Sequence, residues 1–201
     1  MFDARIRPHI DPILNHIARI LHRTGVGANM LSYIGVIIAI AVSIFLVYQA
    51  YLIALFLIII NRIIDGLDGA VARMGRPTPF GGYIDSIADY IFYIVIPLGF
   101  AFAVPQNMQS AMILIASFTL TAVSFLAYAA IAERAGIKDE HQYGDKSFLY
   151  NIGLMEGGET ILFFILFCIF PAYFAPLAYI FAALCGLTII QRMVIAAKKL
   201  S

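Results

Sequence analysis

The chain has 201 residues, of which 62% are hydrophobic and 12% charged, with a formal net charge of +1. A soluble globular domain carries about 25% charged residues, so this composition, with a mean hydropathy of +0.92, makes lipid the expected solvent. The length suits a single domain over residues 1–201, and the absence of any Lys/Arg run excludes a nucleic-acid backbone binder.

The first 23 residues do not read as a signal peptide, because Pro8, Asp11, Pro12 and Asn15 interrupt any apolar core. Ile10, Ile13, Leu14, Ile17 and Leu21 recur at helical spacing, with His9, Asn15, His16, Arg19, His22 and Arg23 between them. That pattern predicts an amphipathic helix lying in the membrane interface, with residues 1–29 leading into a bundle over 30–201. A helix packed on other protein mass would show the same pattern, but little soluble mass exists to receive it.

A spanning helix needs about 20 mostly apolar residues. Six windows qualify: Leu31–Tyr48, Tyr51–Ala72, Tyr83–Val104, Met108–Ala132, Ile152–Phe170 and Tyr173–Ala197. They are continuous rather than alternating, so the expected fold is an all-α integral membrane protein with six transmembrane helices, not a barrel. Cys168 and Cys185 fall inside apolar runs without CxxC spacing and are expected as small buried hydrophobes.

All 13 Lys and Arg fall in four groups: before span 1, at the turn between spans 2 and 3 (Arg62, Arg73, Arg76), after span 4, and at the C-terminus. The three opposite turns hold none. An even number of spans with one basic side places both termini in the cytoplasm.

The informative stretch is DGLDGAVAR, Asp65 to Arg73, followed by GGYIDSIAD, Gly81 to Asp89. An aspartate within a membrane helix costs a few kcal/mol. Asp65 and Asp68 are spaced i,i+3, and Asp85 and Asp89 i,i+4, so each pair shares a helix face. A short link between spans 2 and 3 makes an antiparallel hairpin in which the pairs meet at similar depth near the cytoplasmic surface. Four converging carboxylates repel one another unless cations neutralise them, and little positive charge is expected nearby. Hard oxygen ligands favour Mg²⁺ or Mn²⁺, and Mg²⁺ commonly recruits substrate phosphates. Gly66, Gly69, Gly81 and Gly82 leave room for close approach of a ligand or another backbone, and Arg73 offers a fixed charge suited to phosphate.

The spacing Asp65-x-x-Asp68-Gly69-x-x-Ala72-Arg73, seven residues, then Gly81-x-x-x-Asp85-x-x-x-Asp89 resembles the signature of the CDP-alcohol phosphotransferases. The resemblance covers most of the chain, including the helical layout. It implies transfer of a phosphatidyl group from a CDP-linked lipid, typically CDP-diacylglycerol, to an alcohol with release of CMP, and a homodimeric enzyme. It implies that Asp65, Asp68, Asp85 and Asp89 hold a pair of divalent ions (Mg²⁺ or Mn²⁺), with Asp89 also the general base. Gly69 and Arg73 match positions that contact the cytidine diphosphate. Thr78 stands where a small hydroxyl residue often touches it. Residues Gly27, Ala28 and Asn29 match a nucleotide-facing Thr-Pro-Asn segment in Asn29 alone.

For the acceptor alcohol, the candidates are Glu156 and Glu159 at the start of span 5, Arg134 after span 4 and Arg192 in span 6. The glutamates read equally as helix-dipole partners, and the arginines as part of the basic side. The end of span 4 lacks the lysine that helps hold the acceptor phosphate in family members using inositol phosphate, which leaves glycerol 3-phosphate, serine and other polyols foremost. A membrane prenyltransferase or a divalent-cation transporter would also use intramembrane carboxylates. The first places its motifs on separate helical repeats, and the second near the bilayer midplane.

Overall fold

The computed structural model describes residues 2–75, 77–136, 155 and 157–200. Within them run seven α-helices: α1 (Phe2–Arg23), α2 (Ala28–Val47), α3 (Tyr51–Met74), α4 (Pro79–Ala103), α5 (Met108–Arg134), α6 (Gly157–Ile169) and α7 (Phe174–Leu200). No strand occurs among the described residues, as the continuous apolar runs require.

Local chemistry sets the helix ends. Between α2 and α3, Gln49 takes a positive φ of 58°, and its side-chain amide donates to the Ala103 carbonyl at 3.3 Å, tying the turn to the end of α4. At the start of α4, the Thr78 hydroxyl accepts from the Gly81 amide, with Pro79 in the first helical turn. A short 3₁₀ turn, Pro105–Asn107, leads into α5, and another, Pro171–Tyr173, into α7.

Four helical segments are long and apolar enough to cross a membrane: Ala28–Val47, Pro79–Ala103, Pro105–Arg134 and Pro171–Leu200. The expected six are therefore met in four by length and apolarity. The second expected span is α3, whose 24 residues rise about 36 Å; it misses the apolar criterion because Arg62, Asp65, Asp68 and Arg73 lie within it. The fifth, expected from Ile152, is described only as the 13-residue α6, and residues 151–154 and 156 lie outside the described set.

Helices α2, α3 and α4 form one packed group, and α5 lies against α7. The main core is aromatic. Phe92, Phe100, Phe164, Phe167, Phe174 and Phe181 are all essentially fully buried, with Phe100 stacked on Phe174 at 4.6 Å and Phe163 on Phe181 at 4.5 Å. Cys168 and Cys185 are buried there as free thiols. A second, smaller core joins Leu14, Ala18 and Leu21 of α1 to Leu67, Ala70, Val71 and Met74 of α3. α1 thus packs behind the acidic turn of α3, while Ile10, Ile13, Ile17 and Ile20 remain exposed.

Helices α2 and α4 approach closely at Gly99. A Cβ there would lie 2.8 Å from Leu46 Cβ and 3.0 Å from the Ser43 carbonyl oxygen, so only glycine lets α2 and α4 meet at this spacing. Gly99→Ala is expected to destabilise the detergent-solubilised protein by about 1–3 kcal/mol through overpacking, read as a lowered thermal midpoint. An unchanged midpoint would show that the two helices are free to separate there.

Candidate active site

The four aspartates lie on two facing helices. Asp65 and Asp68 are in the C-terminal half of α3, and Asp85 and Asp89 in the first three turns of α4. The α3–α4 hairpin brings one carboxylate oxygen each from Asp65, Asp68 and Asp85 within 4.8 Å of one another. Asp68 is only 5% exposed, and the Ser32 hydroxyl of α2 donates to its Oδ2 at 2.7 Å. A buried carboxylate requires such a partner. Ser32 follows no sequence motif and lies 36 positions away, so only the fold reveals it.

Asp89 stands beside this group rather than within it. Its Oδ1 accepts from Arg62 Nη1 at 3.0 Å, and the same nitrogen lies 3.5 Å from Asp65 Oδ2. Two sequence expectations are corrected here. Arg62 does not sit at the turn between helices but in the middle of α3, with its side chain 14% exposed. The acids therefore do have a cation among them. An arginine inside an apolar helix is too costly to leave facing lipid, and the spacing Arg62–Asp65, i,i+3, was the signal that it shares their face. The guanidinium is fixed from behind as well. It lies 3.9 Å over the Phe92 ring, and its Nε and Nη2 both donate to Asn61 Oδ1. Asn61 in turn donates to the Gly35 carbonyl of α2 at 2.7 Å.

At the open end of the hairpin lie the four expected nucleotide contacts, in two pairs. A Cβ on Gly81 would lie 3.1 Å from both Asn29 Oδ1 and Thr78 Oγ1, so the starts of α2 and α4 meet around that glycine. Arg73 is exposed, and its Nη1 would stand 3.3 Å from a Cβ on Gly69, one turn above Asp68. The expected acceptor residues are more dispersed. Arg134 is exposed in the last turn of α5. Arg192 of α7 donates to the Thr121 carbonyl of α5 at 2.9 Å and approaches Ser124 Oγ at 3.4 Å. Glu159 is half-buried in the first turn of α6. Glu156 and Arg76 lie outside the described residues.

Three carboxylates with oxygens this close are a hard-oxygen donor set that fits Mg²⁺ or Mn²⁺.

A profile of the CDP-alcohol phosphatidyltransferase family matches residues 26–196. The chain belongs to this family. Its relatives include the inner membrane protein YnjF of Escherichia coli, 43% identical over 96% of this chain and 94% of that one. The archaetidylinositol phosphate synthase of Pyrococcus horikoshii is 29% identical, over 98% and 97%. Among solved structures, the phosphatidylinositol phosphate synthase of Mycobacterium tuberculosis with CDP-DAG bound superposes with a TM-score of 0.59 at 21% identity, covering 94% of this chain and 92% of that chain, which establishes a shared fold. As a CDP-alcohol phosphatidyltransferase the protein is an enzyme and an integral membrane protein, of a family that depends on divalent metal.

In such a site the groups that orient a metal-binding carboxylate set its affinity. Ser32→Ala is expected to weaken Mn²⁺ binding about 10- to 100-fold, measured by electron paramagnetic resonance on the detergent-purified protein. Unchanged affinity would mean that the 2.7 Å bond from Ser32 to Asp68 only satisfies a buried oxygen.

Proposed function

We propose that the protein transfers the phosphatidyl group of CDP-diacylglycerol to the hydroxyl of a polar alcohol, releasing CMP. One observation carries this reading: Asp65, Asp68 and Asp85 converge, Asp89 stands beside them, and the nucleotide-matching residues Asn29, Gly69, Arg73 and Thr78 gather at the same end of the α3–α4 hairpin.

Asp65, Asp68, Asp85 and Asp89 would hold the pair of divalent ions, whose charge would offset the diphosphate and the negative charge developing on the leaving CMP. Arg73 adds a fixed positive charge at the open end. Gly69, without a side chain, lets the nucleotide approach α3, and Asn29 and Thr78 border its path. Asp89 accepts the proton of the attacking hydroxyl. The hydroxyl oxygen forms its bond to the phosphorus that bears the lipid. The bond from that phosphorus to the CMP oxygen breaks, and CMP leaves with the electron pair.

Glycerol 3-phosphate, serine and other polyols are the proposed acceptors, and the relatives named as archaetidylinositol phosphate synthases bring inositol phosphate into the panel. Glu156 and Glu159 are placed on the acceptor side, because a second carboxylate pair against the diphosphate would repel it. All six sequence windows cross the bilayer in this reading, α1 lies in the interface through its exposed isoleucines, and the active site and both termini face the cytoplasm. The enzyme acts as a homodimer.

The deciding assay is CMP release from CDP-diacylglycerol in detergent across these alcohols. CMP release that rises with one alcohol establishes the reaction and its acceptor; no release with any alcohol overturns it. Chelation is expected to abolish turnover and Mg²⁺ or Mn²⁺ to restore it, whereas full activity in chelator would remove metal from the mechanism. Asp89→Asn is expected to lower kcat by about 100-fold or more, with CDP-lipid affinity largely kept; a parallel collapse of lipid affinity would make Asp89 chiefly a ligand. Glu159→Gln is expected to raise the acceptor KM several-fold with kcat nearly unchanged, the pattern of lost uniform binding. A fall in thermal midpoint with both KM values intact would return Glu159 to helix capping.

A further inference from the structure

We propose that the exposed side of α1 is a docking surface for anionic phospholipid headgroups, selected over zwitterionic ones through Arg19 and Arg23. The proposal rests on the reading that α1 lies in the membrane interface, and not on the transfer chemistry.

At about 100° per residue, α1 presents three sides from Ile10 onward. Leu14, Ala18 and Leu21 pack toward α3. Ile10, Ile13, Ile17 and Ile20 form the neighbouring stripe and are between 36% and 63% exposed. His16, Arg19 and Arg23 line the third side and are exposed as well. A helix that only packed on the bundle would need the first side alone. An apolar stripe left open beside a cationic one suits a helix seated on a charged lipid surface, with isoleucines in the acyl boundary and arginines among the headgroups.

Charge complementarity names the occupant. Among the described residues no acidic side chain pairs with Arg19 or Arg23, and Arg19 Nε donates to the Asn15 carbonyl of its own helix at 3.3 Å. Asp11, the acid of this stretch, stands eight residues before Arg19, about 12 Å along the axis. The charge of the third side is therefore left for the surroundings. A basic residue close to an anionic membrane surface favours it about fivefold, whereas a zwitterionic headgroup offers no net charge.

The docked helix is fixed to the site. A Cβ on Gly66, which stands between Asp65 and Asp68, would lie 2.9 Å from Leu14 Cδ1, and one on Gly75 would lie 3.8 Å from His22 Cε1. From Leu14 to His22 and from Gly66 to Gly75 the two helices keep company over about 12 to 14 Å. Headgroup attraction on α1 thereby holds the acid-bearing turn of α3 at the membrane surface.

The chain contains no tryptophan, so a single introduced one reports its own surroundings. Ile13→Trp is reconstituted in mixed vesicles of phosphatidylcholine and phosphatidylglycerol in which one lipid or the other is brominated, and fluorescence quenching gives the local lipid composition. Ile40→Trp, on the exposed side of α2, is the reference. Phosphatidylglycerol is expected to be enriched about fivefold around Ile13→Trp relative to Ile40→Trp. The enrichment is expected to vanish when Arg19→Gln and Arg23→Gln are added, with the thermal midpoint unchanged. It is also expected to vanish in about 1 M salt, where the screening length falls to about 3 Å. Equal composition at the two positions overturns the proposal, as does enrichment that survives the glutamines or the salt. A tryptophan at position 13 quenched by neither lipid overturns the interfacial placement of α1 as well. Should Ile13→Trp lower the midpoint, Ile20→Trp is read in its place by the same criteria. CMP release plays no part in these readouts, so failure of the transfer reading leaves them standing.

Discussion

The carboxylates of Asp65, Asp68, Asp85 and Asp89 repel one another across the α3–α4 hairpin, and a protein immersed in lipid has few means to hold them. Water is scarce, and each unpaired charge is costly. The fold answers with groups drawn from two helices. Ser32 of α2 donates to Asp68, Arg62 of α3 bridges Asp65 and Asp89, and Asn61 couples that arginine to the α2 backbone. α2 therefore acts as the frame of the site, although it contributes no carboxylate. Its placement is fixed at the other end by the tight crossing of Leu46 over Gly99, so the group α2–α3–α4 is pinned at both ends.

The other helices show what happens when no such cluster has to be held. Between α4, α6 and α7 the core is built almost wholly of phenylalanine rings in stacked and edge-on pairs, which bury large apolar area without polar partners. Where α7 does bring an arginine against its neighbour, Arg192, the Thr121 carbonyl and the Ser124 hydroxyl of α5 meet it. Arg62 and Arg192 thus follow one rule: an arginine inside the bundle finds oxygen on a neighbouring helix.

The legible part of this design was local. Spacings of three and four residues put each acid pair on one face, and the short link after Met74 forced the pairs together; both arguments need only helix geometry. Ser32 and Asn61 were hidden because their partners lie 36 and 26 positions off, and register between helices is decided by side-chain fit, which no periodicity encodes. Arg62 was half-visible. Its place in an apolar run signalled an internal partner, but a membrane sequence invites every arginine to be counted as a topology charge. Four of the six expected spans stand out by length and apolarity alone, and the charges that make α3 a site keep it out of that number.

Rise along the two helices explains why the parts stack in the order they do. Asp68 stands six residues from the end of α3 and Asp85 six from the start of α4, each about 9 Å from the turn. Asp65 and Asp89 stand nine and ten residues in, about 14 to 15 Å. The acids therefore form an outer rung and an inner rung. Arg62, twelve residues from the end of α3, lies about 18 Å in and closes the inner rung from below, with Phe92 beneath the guanidinium. Arg73, Gly69, Thr78 and Asn29 border the outer rung. Charge thus alternates along the hairpin: cation, acids, cation. The inner cation seals the acids from the apolar core. The outer one stands at the open end of the hairpin, where the proposed reaction brings an anionic diphosphate, and the acids lie between the two cations.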